Sequence, residues 1–408
     1  MSPTLSRDAR RVLLAQALRA FGYGLASVLL GVTLQRRGFS SLQSGMVLTA
    51  VVAGTVGASL FVARFADGVG RRRCYAVLYL LLAVSGFVFA FASSPWVLAA
   101  VALSGALSTE VVESGPFTSL EQSMLSEELR THELVRGFGV YNAVASAAGS
   151  LGALAAGGPS LVRQAWSGAP TDERFFLVLV PVALAGALVA WSLSSHVETA
   201  SAAAAPPAHV AGSRPVVVRL AGLFAMDAFG GGFVVQAFIA YWLSRRFGAS
   251  LSTVGVVFAA IGVLQTVSFL AAARLGERFG LLNTMVFSHF PSNVVLACVP
   301  LAPSLGVAIG LLLARTVLSQ MDVPTRQAYV MALVDPAERT AAAAYTNTAR
   351  YVVRPAGPLL AGAAQSFGLG APFVVAGSIK GAYDVVLWRW FRNIELPTPT
   401  DAPSEVRS

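Results

Sequence analysis

Residues 63–73 read ARFADGVGRRR, and residues 273–281 read ARLGERFGL. Arg64, Asp67 and Gly70 of the first correspond to Arg274, Glu277 and Gly280 of the second, each 210 positions later. Both stretches are short polar turns set between long apolar runs. The correspondence continues in both directions. LQRRGFSSLQSGMVLTAVVAG, from Leu34, pairs with LSRRFGASLSTVGVVFAAIGV, from Leu243. Asn142, Gly152 and Gly157 pair with Asn347, Gly357 and Gly362 at an offset of 205. An ordered series of this kind means two halves built on one plan.

Composition says what solvent the halves meet. The 408 residues are 55% hydrophobic and only 12% charged. A typical soluble domain carries roughly 25% charged residues, so this chain lacks the charge to cover a water-facing surface. Its apolar runs approach the ~20 residues that cross a bilayer as a helix. Lipid offers no partner to backbone polar groups, and the runs are too long and too uniformly apolar for barrel strands, so they must be helices. The expected fold is an all-α membrane protein of about twelve transmembrane helices in two six-helix pseudo-repeated halves. Residues 1–194 form the N-terminal bundle, 195–215 an Ala/Pro/Ser-rich cytoplasmic linker, 216–394 the C-terminal bundle, and 395–408 a disordered cytoplasmic tail.

Lys380 is the only lysine, and the formal net charge is +9. In a membrane chain that excess suits cytoplasmic loops and anionic lipid, not nucleic acid. With the N-terminus inside, the inner segments hold 18 arginines and the outer loops 6. The positive-inside rule therefore places both termini in the cytoplasm. Cys74 and Cys298 have no metal-ligand spacing, and His132, His196, His209 and His289 are scattered. No P-loop appears, which argues against ATP as the energy source. No nucleophile–base pair stands out, so an enzyme is not expected, nor any cofactor or metal.

At residues 63–73 the chain resembles the major facilitator superfamily, whose loop pattern is G-x-x-x-D-R/K-x-G-R-R/K. Asp67, Gly70, Arg71 and Arg72 match; Ala63 replaces the first glycine and Gly68 the first base. The resemblance implies a secondary transporter that moves a small molecule by alternating access, with this loop clamping the cytoplasmic side. Asp67, Gly70, Arg71 and Arg72, their repeat counterpart Glu277, and Arg326 form the expected cytoplasmic gate motif. The family's antiporter pattern is missing from the fifth span; a partial match, GPLLAG, begins at Gly357. Efflux is slightly favoured, on the family's many bacterial exporters.

Ionisable residues at membrane depth are costly and point to function. The expected substrate and proton pathway comprises Arg19, Tyr23, Glu110, Glu113, Asp227, Arg315, Asp322, Asn347, Arg350 and Arg354. Arg315, Ser319, Asp322 and Arg326 are spaced to share one helix face, with Pro324 expected to loosen that helix. Phe117 and Glu121 are read as continuing the face of Glu110 and Glu113. Asp322 is expected to pair with Arg350 or Arg354 to close the cytoplasmic side. Glu110, Glu113 and Asp227 are the expected proton carriers, and Lys380 with Asp384 a structural or snorkelling pair. The expected partners are a small-molecule substrate, protons and membrane lipid, in a monomer of the cell membrane. Two alternatives are uptake or exchange of an organic anion or phosphate on the membrane arginines, and a non-transporting sensor or assembly factor.

Overall fold

A computed structural model describes residues 6–111, 115–128, 134–166, 168, 170–198, 212–334 and 338–394; the side chains of Asp67 and Glu277 lie outside the described set. Helices account for nearly all of it: α1 (Arg7–Arg36), α2 (Ser41–Val69), α3 (Arg71–Phe91), α4 (Pro95–Ala102), α5 (Gly115–Glu128), α6 (Leu134–Ala155), α7 (Gly158–Ala165) and α8 (Leu179–Trp191) in the first half. The second half holds α9 (Arg214–Gly232), α10 (Gln236–Phe247), α11 (Leu251–Phe279), α12 (Leu281–Cys298), α13 (Leu305–Ser319), α14 (Asp322–Leu333), α15 (Arg339–Val353), α16 (Ala356–Ala364) and α17 (Ala371–Phe391). Among the described residues, 8 stretches are long and apolar enough to cross a membrane. The other expected spans fall on α4–α5, α6–α7, α15–α16 and α17. The first and third are broken, and α17 carries Lys380, Asp384 and Arg389. Outward faces present Phe61, Phe87, Leu188, Trp191, Val263 and Leu301, each more than half exposed, as lipid contact requires.

The repeat is visible residue by residue. α2 and α11 both run 29 residues, and Ser40 and Ser250 cap them by accepting a hydrogen bond from the backbone N–H three residues on. The turn before each holds a left-handed glycine, Gly38 at φ 70 and Gly248 at φ 67. The polar turn after each is closed by Gly70 at φ 104 and Gly280 at φ 84, a region essentially reserved for glycine.

Several helices break where the sequence removes support. α15 stops before Pro355, which cannot donate into the ladder. The α13–α14 break lies at Gln320–Met321, ahead of Pro324. Pro324 instead occupies the first turn of α14, where N–H groups have no intrahelical partner to lose. The loosening expected at Pro324 thus takes the form of a break, since its ring nitrogen cannot donate to the Gln320 carbonyl four residues back. A correction concerns α4, which ends at Ala102; the chain turns at Gly105 (φ 72) before α5 begins at Gly115. Glu110 and Glu121 therefore do not share a helix face.

Within the halves, α1 packs on α6 and α3 on α8, while α12 packs on α17 and α9 on α15. Between the halves, α1 meets α10, α2 meets α16, and α6 meets α11. The closest of these approaches lie toward the end of the bundle that carries Gln35–Gly45. There Ser244 Oγ donates to Gln35 Oε1 at 3.1 Å and Ser41 Oγ to Gln365 Oε1 at 2.9 Å. A Cβ on Gly45 would stand 2.6 Å from the Pro358 carbonyl oxygen, and one on Gly362 2.6 Å from that of Ser41. Small residues let helix backbones approach this closely in lipid. The halves are thus clasped at that end.

Candidate functional site: a charged cavity between the halves

A cavity of about 240 Å³ lies between α6, α9, α11, α13–α14 and α15, and Glu110 reaches it from the loop after α4. The four polar residues spaced along α13–α14, Arg315, Ser319, Asp322 and Arg326, all line it. So do Glu110, Asp227, Arg350, Arg354, His289 and Lys380. Next to α13, Phe258, Ile261, Gln265 and Phe269 recur at helical spacing along one side of α11 and line the cavity as well.

Asp227 is the hub of a buried network in the second half. Lys380 Nζ donates to its Oδ1, Arg326 Nη1 lies 3.6 Å from its Oδ2, and His289 Nε2 lies 3.7 Å from its Oδ1. Arg326 Nη1 also donates to Asp322 Oδ2 at 2.7 Å, and the guanidinium lies 5.6 Å from the centre of the Phe224 ring. On its other side, the His289 Nδ1 is 2.8 Å from Asp384 Oδ1, and Asn293 Nδ2 donates to Asp384 Oδ2 at 2.8 Å. Each ring nitrogen of His289 therefore faces a carboxylate. A doubly protonated imidazole satisfies both, whereas a neutral one has a single N–H to give.

Across the halves, Arg354 Nη2 donates to Glu110 Oε1 at 2.8 Å. This joins α15's end to the loop after α4 and closes part of the cavity's wall. The triple glycine 230–232 serves close packing as well as the end of α9. A Cβ on Gly230 would lie 2.8 Å from Lys380 Cγ, and one on Gly232 2.5 Å from the Arg354 carbonyl oxygen.

Of the expected pathway, Glu110, Asp227, Arg315, Asp322, Arg350 and Arg354 come together here. Asn347 is exposed and outside the lining, and Glu113 lies outside the described residues. Arg19 and Tyr23 are sealed in the first half's core, away from the cavity. Arg19 forks onto both oxygens of Glu121, at 2.9 and 2.8 Å, and Tyr75 and Tyr141 donate to the same carboxylate at 2.9 and 2.7 Å. Tyr23 donates to the Ala106 carbonyl at 2.7 Å, and Phe117 packs edge-on against it. A bidentate pair with every acceptor filled is a fixed structural element.

The expected Asp322 partners are also revised. Asp322 takes Arg326, four residues along its own helix, and Arg354 takes Glu110. Lys380 and Asp384 are neither snorkelling nor bonded to one another. Both are buried, Lys380 against Asp227 and Asp384 against His289 and Asn293. In the gate loop, Gly70 makes the turn and Arg72 Nη1 donates to the Leu193 carbonyl at 2.8 Å, within its own half. Arg71 is buried, and Asp67 and Glu277 have no described side chains. Arg326 belongs to the cavity. Sequence reading missed Glu121's role, His289 and the Lys380–Asp227 contact; an isolated histidine two turns into an apolar helix was the available sign.

Comparison with known proteins gives a family and a fold. A family profile described as Major Facilitator Superfamily matches residues 12–313 and 220–407. An uncharacterized membrane protein of Saccharomyces cerevisiae is 22% identical over 426 aligned positions, covering 96% of this chain and 95% of its own. The crystal structure of a nucleoside transporter, NupG, superposes with a TM-score of 0.73 at 13% identity, over 95% of this chain and 98% of that one. A D-xylose–proton symporter superposes at 0.69 and 12% identity, covering 93% and 97%. A bacterial homologue of the human lysosomal transporter Spinster, inward-facing and occupied, does so at 0.70 and 16%, covering 96% and 98%.

Proposed function

We propose that this chain, which belongs to the major facilitator superfamily, is a proton-coupled secondary transporter that carries a small molecule through the cavity between its halves. The observation that carries the reading is the cavity itself: it is walled by ionisable groups from both repeats while glycine contacts clasp the halves at one end. Substrate sites between repeated halves are the family architecture's rule. A non-transporting sensor would be expected to have a filled, neutralised centre, and the open lining speaks against it.

The proton is assigned to the Asp227 network. Asp227 borders the cavity, contacts Lys380, Arg326 and His289, and through His289 reaches the buried Asp384. Protonating Asp227 would release Lys380 and weaken its pull on Arg326, which Asp322 still holds, and so links a proton to the shape of the cavity. Glu110 is a second carrier, since its proton would open the Arg354 bridge between the halves. The arginine asymmetry supports a multi-pass protein with both termini cytoplasmic, which we place in the cell membrane as a monomer. Export is kept as the working direction, on the family's exporters.

The test is reconstitution in liposomes with an internal pH dye, followed by solute jumps from a panel of small solutes. Proton movement that accompanies one solute, and is lost in Asp227→Asn, is expected. Solute flux with no pH change would refute the coupling, and absence of flux for every solute would refute transport.

A further inference from the structure

We infer that the cavity takes a small organic anion, and that Arg315 is the residue that anchors its carboxylate or phosphate group. This rests on the transporter reading above and names its substrate class.

Arg315 sits ten residues into α13, after an apolar run, and lines the cavity. Its Nε is buried with no hydrogen-bond partner, and among the described residues it makes no ion pair. A guanidinium keeps its proton and presents five N–H donors in a fixed fork. Leaving the buried Nε without an acceptor costs free energy, and the half-buried side chain borders the cavity. The carboxylates whose fields reach it are Asp227 and Glu110, and both are engaged elsewhere, with Lys380 and Arg354. Arg326 is likewise occupied, by Asp322.

The lining is rich in cations: Arg326, Arg350, Arg354 and Lys380 stand in it with Arg315. Arginine is the side chain whose planar fork matches a carboxylate or phosphate with two parallel hydrogen bonds. Beside it, α11 packs on α13 and adds Phe258, Ile261 and Phe269 to the lining, with Gln265 among them. An oxyanion head with a short carbon body fits such a lining. The volume of about 240 Å³ corresponds to about eight waters at roughly 30 Å³ each, which limits the body to metabolite size.

The experiment uses the purified full chain in lipid nanodiscs, titrated calorimetrically with succinate, glycerol phosphate and inorganic phosphate, and with xylose and uridine as neutral controls. At least one oxyanion is expected to bind while the neutral solutes do not; whether succinate or the phosphates bind separates the two head groups. Arg315→Gln should weaken that binding roughly ten- to hundredfold, the range for a lost charge-assisted contact. Arg315→Lys should retain part of it, and an unchanged melting temperature in either variant shows that the fold is intact. Silence from all three oxyanions, or binding that Arg315→Gln leaves untouched, overturns the proposal. So does a double variant, Arg315→Gln with Glu113→Gln, that behaves like the parent, because Arg315 would then be only a counter-ion for Glu113. Counterflow in liposomes separates this from the parent reading. Transport of a neutral solute that is indifferent to Arg315→Gln refutes the anion site and keeps the transporter. Oxyanion binding with no solute carried keeps the site and refutes the transporter.

Discussion

Gly362→Ala is expected to unclasp the two halves. The Cβ it adds would lie 2.6 Å from the Ser41 carbonyl oxygen and 3.2 Å from Gly45 Cα, both on α2 of the opposite half. A backbone oxygen on a packed helix cannot swing away, so α16 and α2 must separate. Overpacking of this kind costs about 1–3 kcal/mol. The contact exists only while this end is closed, so the whole cost falls on one conformer. The ratio of closed to open should fall by roughly 5- to 150-fold. Leu42 and Phe367, 54% and 91% exposed, flank the contact on the two halves and accept spin labels without disturbing the core. With Cys74 and Cys298 replaced by serine, pulsed electron resonance between cysteines at 42 and 367 should show one short distance in the parent. In Gly362→Ala the population should move to a longer distance. A distribution identical to that of the parent, in protein that still melts cooperatively, would refute the claim that this contact belongs to one state of a moving pair.

Other consequences follow from the same geometry. Glu121→Gln leaves the Arg19 guanidinium buried without its charge partner; a loss of about 3–5 kcal/mol is expected, read as a clearly lower melting temperature. Gly70→Ala forces a side chain to adopt φ 104 and should cost about 1–3 kcal/mol, whereas Gly222→Ala, with open space around it, should be tolerated in the same melting assay. Glu110→Gln breaks a bridge whose side chains are 32% and 20% exposed, so its effect is small, about 0.2–1 kcal/mol, or at most about a fivefold shift of the same label distances.

The architecture was legible because the membrane leaves few choices. Apolar length forces helices, and the repeated turns at Gly70 and Gly280 carry one conformational demand twice, which fixed the pairing of the halves. The stripe from Arg315 to Arg326 was legible for the same reason: helical spacing decides which residues share a wall, and all four do. Partner choice was not legible. Spacing says that Arg350 and Arg354 share a face, but which carboxylate meets which arginine depends on how helices from distant parts of the chain are rotated. Arg19 shows the limit most clearly. An arginine at membrane depth reads as a pathway residue, yet Glu121, 102 residues away, and two tyrosines seal it. His289 was overlooked because its meaning lies in Asp227 and Asp384, each on another helix. Breaks such as Leu103–Glu110 were missed because no proline announces them; Gly105 turns against the carbonyl of Gly54 there.

A transporter that works by alternating access opens its cavity to one side of the membrane at a time. Gln265 lines the cavity wall, and Gln265→Cys in the serine-for-cysteine background, in vesicles of known orientation, can be treated with a membrane-impermeant maleimide from either face. The account predicts labelling from the face opposite the Gly45–Gly362 clasp in the parent, and from the clasp's own face once Gly362→Ala is introduced. Labelling from both faces of the parent alike, or from neither face in both proteins, would contradict it.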